Sequence, residues 1–275
     1  MCGRFTLVEP SYEELADTLG VAFDSSQAAA YKPRYNIAPT DAHWVMHMES
    51  GVRELMSASW GLVPWWSKTK NDARRPINAR SESIKKSPVF REAFAERRCV
   101  VVADGFYEWV APPEGSKGPK QPIWFRPSAG GLLLMAGLWE SWKDPATGER
   151  SRSFTIVTHA ANSDMDGVHD RMPVVITPAD LPTWLDVPPR GEERDVPAQV
   201  MQLLGPAREG ALTRTRVSTR VNSVKNDDPL CIASPEDVPW VPPEKKPRVP
   251  KQQPAAALPL FGDTPAATHR KRHDA

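Results

Sequence analysis

Apolar and polar positions along this chain change period every few residues, so the pattern predicts many short elements rather than a few long ones. Residues 11–19 read as a helix: Ser11 and Glu14 form a capping-box pattern and Gly20 stops it. Residues 45–48 and 52–59 read as short strands around Gly51, a candidate hairpin. Ser87-Pro88 ahead of Val89, Phe90, Ala93 and Phe94 combines an N-cap, a proline at the first helical position and helical apolar spacing. The β-branched run at 99–103 ends at Asp104-Gly105 and predicts a buried strand. Further strands are expected at 123–125, 132–138, 154–158 and 214–217, with short helices opening at Thr177 and spanning 197–204. Strands and helices mix without regular alternation and no repeat of fixed period is present. The expected class is therefore α+β, with a mixed, largely antiparallel, curved or barrel-like sheet flanked by short helices.

Composition changes this picture at one end. After about Pro239 the chain shifts to Pro, Lys, Ala and Gln and cannot bury enough apolar surface to order itself. The expected division is a domain over 1–238 and a disordered tail over 239–275. From Val241 onward there are seven Lys/Arg against three Asp/Glu in a chain of net charge +1, which leaves the body slightly acidic. A near-neutral total does not exclude a local basic groove. The 40% apolar and 25% charged residues are those of an ordinary globular protein. Three cysteines, Cys2, Cys99 and Cys231, lack paired spacing, so neither a disulfide framework nor a zinc motif is expected. No apolar signal region or membrane-length run is present, and a cytoplasmic, monomeric protein with no cofactor is the expectation.

The chemistry begins at Cys2, directly after Met1. Aminopeptidases remove an initiator Met before a small residue, which would leave Cys2 with an amine and a thiol on adjacent carbons. Such an aminothiol condenses with an aldehyde to an imine, and the thiol then closes a five-membered thiazolidine at high effective molarity. At pH 7.4 about a quarter of an ordinary α-amine is neutral, against about a tenth or less of an ordinary thiol present as thiolate, so the amine attacks first. Position alone is weak evidence, because glutamine amidotransferases also begin Met-Cys-Gly.

Five further islands follow Met-Cys-Gly-Arg-Phe. They are Arg34-Tyr35-Asn36-Ile37-Ala38-Pro39-Thr40, Trp60-Gly61-Leu62-Val63-Pro64-Trp65-Trp66, Ile77-Asn78-Ala79-Arg80-Ser81-Glu82, Gly105-Phe106-Tyr107-Glu108-Trp109, and His169-Asp170-Arg171-Met172-Pro173-Val174. In this order they resemble the SRAP family, the SOS-response-associated "peptidases" better described as abasic-site processing proteins. The resemblance runs from residue 2 to about 228, where Val221-Asn222-Ser223 and Asn226-Asp227 match its last island. The arginine and asparagine-glycine motifs of amidotransferases are not found.

The resemblance implies that Cys2 forms a thiazolidine with the ring-opened sugar of an abasic site in single-stranded DNA, shielding the lesion. It implies that Asn78 orients the Cys2 backbone or the sugar, Glu108 accepts or relays protons at the amine, and His169 acts as general acid on the sugar. Arg4, Arg80 and Arg171 would hold phosphates, with Thr158 a further phosphate or sugar contact. Asn36, Pro39 and one of Trp65 and Trp66 would line the DNA groove, the tryptophan stacking a base or wedging where duplex begins. Two positions depart from the family: Trp65 replaces a small or polar residue, and His159 stands where a second Thr is usual. On physical grounds alone, a Glu among bulky aromatics is expected to be desolvated. Adjacent tryptophans beside Lys68, Lys70, Arg74 and Arg75 suit a single-strand platform. Two other classes keep part of this pattern: an N-terminal-cysteine protease or amidase, limited to removing its own Met1, and a non-covalent single-strand-binding module. In the tail, Leu258-Pro259-Leu260-Phe261 has the form of a peptide that docks on a sliding clamp.

Overall fold

The computed structural model describes residues 2–69, 75–116, 118–187 and 195–239. The tail beyond Pro239, its 258–261 peptide, Lys70 and Arg74 lie outside them. Strands are β1 (Phe5–Leu7), β2 (Arg34–Ile37), β3 (Ala42–Glu49), β4 (Val52–Trp60), β5 (Asn78–Arg80), β6 (Arg98–Ala103), β7 (Gly105–Val110), β8 (Gln121–Pro127), β9 (Leu133–Lys143), β10 (Arg150–Ala160), β11 (Arg171–Pro173) and β12 (Leu212–Arg216). Helices are α1 (Tyr12–Leu19), α2 (Ser25–Ala30), α3 (Arg91–Glu96), α4 (Leu181–Leu185) and α5 (Ala198–Gln202).

The α+β expectation holds, and so does the barrel. Strands β3, β6, β9, β10 and β4 pair in sequence around a ring that closes where β4 meets β3. All of these pairings are antiparallel except β10 with β4. The long strand β10 then carries β5 in parallel and β11 antiparallel beyond the ring. A second, antiparallel sheet runs β12-β8-β7-β1-β2. Closing the ring removes exposed edges and hides β6 completely, so that every residue from Arg98 to Ala103 is buried.

Local signals explain several boundaries. Ser50 and Gly51 both adopt positive φ (51° and 81°), the geometry a two-residue hairpin needs to match strand twist, and β3 and β4 pair from Ala42 to Val52 around them. Ser11 caps α1 by accepting the Glu14 N–H at 3.3 Å, and Gly20 ends it at φ 64°. The box is only half formed, because the Ser11 N–H donates to Glu9 instead. At 87–90 the chain makes a tight turn, the Ser87 carbonyl accepting from both Phe90 and Arg91, and α3 starts only at Arg91. Likewise the segment at Thr177 is a turn closed by Thr177 Oγ1 on Asp180, with α4 beginning at Leu181.

Phe5 anchors β1 against the barrel. Its ring meets His43 edge-on at 4.7 Å and Trp60 at 5.0 Å, and Trp60 stacks on Phe154. Burial drives the His43 imidazole down to about 3, so it stays neutral and pairs through Nε2 with the Val102 carbonyl at 2.6 Å. Asp104, between β6 and β7, binds Thr6 Oγ1 and the Val8 N–H. These contacts fix the start of the chain, just after Cys2, to the junction of the two sheets.

A charge cluster lies on the barrel wall. Arg97 Nη2 pairs with Glu140 at 3.0 Å and with Glu92 at 2.9 Å, while Nη1 pairs with Glu96 at 2.8 Å. Burial pushes Glu140 up to about 7, against the opposing pull of Arg97. A raised carboxylate stabilises the fold below its unfolded value near 4.5 and loses that contribution as pH rises through 7. Glu140→Gln keeps a neutral partner for Arg97, which retains Glu92 and Glu96. The expected result is a variant more stable than wild type at pH 8, by on the order of 2–3 kcal/mol, with the gain vanishing near pH 5. Thermal melts at the two pH values check this, and a lower melting temperature for the variant at pH 8 would refute it.

Candidate functional site

Cys2 lies at the start of the β1 arm, fully buried. Its carbonyl accepts the Asn78 Nδ2–H at 2.9 Å, and its Sγ lies 3.9 Å from the Arg4 carbonyl. Asn78 opens β5, which β10 holds in parallel register (Ile156 opposite Asn78, Thr158 opposite Arg80). Asn78 Oδ1 is buried with no hydrogen-bond partner among the described residues.

Glu108 comes from β7, one residue past Tyr107, whose N–H donates to the Arg4 carbonyl at 2.9 Å. Its side chain is 5% exposed. Burial raises its carboxyl, and His169 is among the charges that pull it back. The Cys2 thiol is pushed up in turn, first by burial and then by Glu108. Cys2, Glu108 and His169 therefore share one electrostatic neighbourhood, although the sequence sets all three far apart.

His169 follows the 166–168 loop and is 28% exposed at its side chain. Its Nδ1 meets two groups with opposite demands: the Arg171 N–H at 3.0 Å, which needs an acceptor, and Asp170 Oδ1 at 2.9 Å, which needs a donor.

The expected DNA contacts divide into two groups. Asn36, 1% exposed, gives its amide to the carbonyls of Val221, Ser223 and Asn226, and Arg4 Nη1 donates to its Oδ1 at 2.8 Å. Arg4 also donates to the Val221 carbonyl and lies 5.8 Å above the Trp109 ring. Arg171 forms a two-pronged pair with Glu82 at 2.6 and 3.0 Å and donates to the Thr158 carbonyl and hydroxyl. That pair holds Glu82 down to about 2. Thr158 is fully buried. Asn36 and Thr158 are thus buried, Arg171 is held by Glu82 and Thr158, and the half-buried Arg4 bonds Asn36 and the Val221 carbonyl through Nη1, so that these side chains brace the site.

The second group faces outward. Arg80 is exposed on the same face of β5 as Asn78, and its guanidinium has no partner among the described residues. Pro39 is half-buried ahead of Thr40, which sits at φ 78°. Trp65 and Trp66 are both exposed, at 53% and 54%. Trp65 Nε1 donates to Glu92 at 2.8 Å, whereas the Trp66 indole has no hydrogen bond among the described residues.

Asp227 carries a role that residue type did not suggest. Its carboxylate accepts the N–H groups of Tyr35 and Asn36 at 2.6 and 2.9 Å and binds Arg34, tying the last island to β2. Glu82, the partner of Arg171, is a second such residue. Both stand inside the quoted islands, which was the only signal available for them.

A barrel with an attached sheet that presents a chain-start cysteine to a glutamate, a histidine and an asparagine defines a known class: the chain belongs to the family described as SOS response associated peptidase (SRAP), which matches residues 1–224. Among its relatives, the abasic site processing protein YoqW of Bacillus subtilis is 32% identical over 234 residues, covering 85% of this chain and 100% of that protein. The abasic site processing protein HMCES of Gallus gallus is 33% identical over 234 residues, covering 74% of this chain and 66% of its own. A solved protein of Bacteroides thetaiotaomicron superposes with a TM-score of 0.72 at 23% identity, over 85% of this chain and 99% of that one. A solved phage-related protein of Bordetella bronchiseptica gives 0.58 at 29% identity, over 78% and 94%.

Proposed function

We propose that this protein traps abasic sites in single-stranded DNA by a covalent bond to Cys2 after loss of Met1. The observation that carries the reading is the hold of Asn78 on the Cys2 carbonyl, which fixes the prospective chain terminus beside Glu108 and His169. The names of the curated relatives point the same way.

The reaction divides among these groups as follows. The Cys2 amine adds to the aldehyde carbon of the ring-opened sugar, Glu108 takes the proton the nitrogen sheds, and His169 delivers one to the departing oxygen. Water leaves and an imine forms. The sulfur then adds to the imine carbon while its proton passes to nitrogen, closing the thiazolidine with no change of oxidation state. Burial suits Glu108 to this work, since a raised carboxylate is a stronger base than an exposed one. Burial also keeps the thiol neutral, which leaves the first attack to the amine. Arg80 would hold a phosphate, and Trp66 would stack a base or wedge at a junction with duplex.

Intact mass spectrometry of the protein with an abasic oligonucleotide tests this. The expected product lacks Met1 and weighs the sum of the two reactants less one water, and it survives heating without a reductant. Retention of Met1, or an unshifted protein mass, would refute the reading. In the same assay Glu108→Gln is expected to slow adduct formation about 10²–10⁴-fold while leaving the mass gained on adduct formation unchanged.

A further inference from the structure

Asn36 and Thr158 are buried and Arg171 is held by Glu82, which leaves room for further ligands of the strand next to the lesion. The face of the second sheet that carries Glu108 supplies them. Glu108 pairs with Ile123 on β8, and Ile123 pairs with Arg216 on β12. One step back, Phe106 pairs with Phe125 and Phe125 with Arg214. Directly paired residues share a face, so Arg214, Arg216 and Glu108 project from the same side of the sheet. With strands about 4.8 Å apart, Arg216 lies two strands, roughly 10 Å, from Glu108.

Between them lies a pocket of about 320 Å³, lined by Val110, Ile123, Val168, Asp166, Arg214 and Arg216, with Gly167 at its rim. It adjoins the reacting groups twice, through Ile123 beside Glu108 and through Val168 before His169. Its floor is apolar and its outer rim carries the two arginines. Among the described residues Arg214 bonds through Nη1, on the Asp166 carbonyl at 3.0 Å, and Arg216 through Nη2, on Gln121 at 3.2 Å. Among the described residues neither forms a salt bridge, in contrast to Arg171. The Asp166 carboxylate shares the rim, and Arg216 also acts on Glu236. Exposed arginines at alternate positions of an edge strand, above an apolar floor, suit a nucleotide: sugar and base on Val110, Ile123 and Val168, phosphate on the guanidiniums.

We propose that this pocket seats the nucleotide next to the abasic residue on one side only, with Arg214 and Arg216 binding its phosphate. The inference rests on reading the site as a trap for abasic single strands.

The test measures affinity by fluorescence anisotropy, using single strands that carry a tetrahydrofuran abasic analogue, which has no aldehyde, over a series of salt concentrations. Loss of that one single-strand phosphate contact lowers the salt slope by roughly 0.7, which corresponds to about 5-fold weaker binding at 0.1 M salt. That is the expected result for Arg214→Gln/Arg216→Gln. Arg216→Gln alone, whose side chain holds no loop in place, is expected to lose about half the slope change. Arg126→Gln removes the same charge from the opposite face, where Arg126 stacks on Trp124 at 4.4 Å, and is expected to bind as wild type does. Strands with nucleotides on only the 5′ or only the 3′ side of the lesion then report polarity: the loss should appear with one and vanish with the other. Wild-type affinity and slope in the double variant, an equal loss on both polarities, or an equal loss in Arg126→Gln would overturn the inference. If wild-type protein neither binds these strands nor crosslinks aldehyde-bearing ones, the underlying reading fails instead.

Discussion

Cys2→Ala protein is expected to lose the heat-stable adduct while still reacting with abasic DNA. Alanine is small enough for Met1 removal, so the variant keeps a terminal amine and the Asn78 bond, which is made to the backbone carbonyl. The amine still forms an imine, detectable as a species trapped by borohydride or as strand cleavage. Without sulfur there is no ring closure, and the imine returns to aldehyde on heating. The intramolecular thiol acts at an effective molarity of about 10⁵–10⁸ M, so its removal should take the stable product from near-complete yield to none. Loss of one buried sulfur costs the fold only about 1–2 kcal/mol, and melting curves will separate that from the chemical effect. A heat-stable crosslink from Cys2→Ala in the absence of reductant would end the thiazolidine account.

The second large effect is structural. A Cβ on Gly105 would collide with Trp124 Nε1 and lie 2.7 Å from the Phe125 carbonyl. Trp124 cannot simply swing away, because its indole donates to Thr6 Oγ1 at 3.1 Å and its ring carries Arg126. Gly105→Ala must therefore pry β7 from β8 or eject the indole, at about 3 kcal/mol or more. The melting temperature should fall by roughly 6–12 °C. Because Gly105 also pairs with Thr6, the same change displaces the strand that leads from Cys2 and the strand that bears Glu108, and adduct yield should fall with it. Gly51→Ala offers the contrast: its φ is 81° but nothing lies within 4 Å of the added atom, so only the backbone cost of about 1–2 kcal/mol applies. Equal melting temperatures for the two variants would contradict this account of Gly105.

Short β-branched and aromatic runs marked β4, β6, β8 and β10 in advance, because a buried strand needs such residues on both faces. Strands β1, β2, β5, β7 and β11 escaped notice. All but β7 have three or four residues, too few to establish a period, and each exists only because a neighbouring strand supplies its hydrogen bonds; in β7 the Glu108 among apolar and aromatic residues broke the buried-strand pattern. Helix starts were displaced for a related reason: at Ser87 and Thr177 the cap-like residues close a turn, and the regular helix follows it.

Residue identity alone named the candidate reactive groups. An aminothiol can exist only at a chain start, and Glu, His and Asn are named by what they can accept or donate wherever they stand. Which arginine is free to meet a ligand was decided elsewhere. Arg171 and Arg80 look alike in the chain, yet Glu82, 89 positions before Arg171, takes one of them and leaves the other in solvent. Only the tertiary structure could turn Asn36 and Thr158 inward or raise Arg214 and Arg216 beside Glu108, because burial and charge pairing depend on neighbours brought together by sheet register.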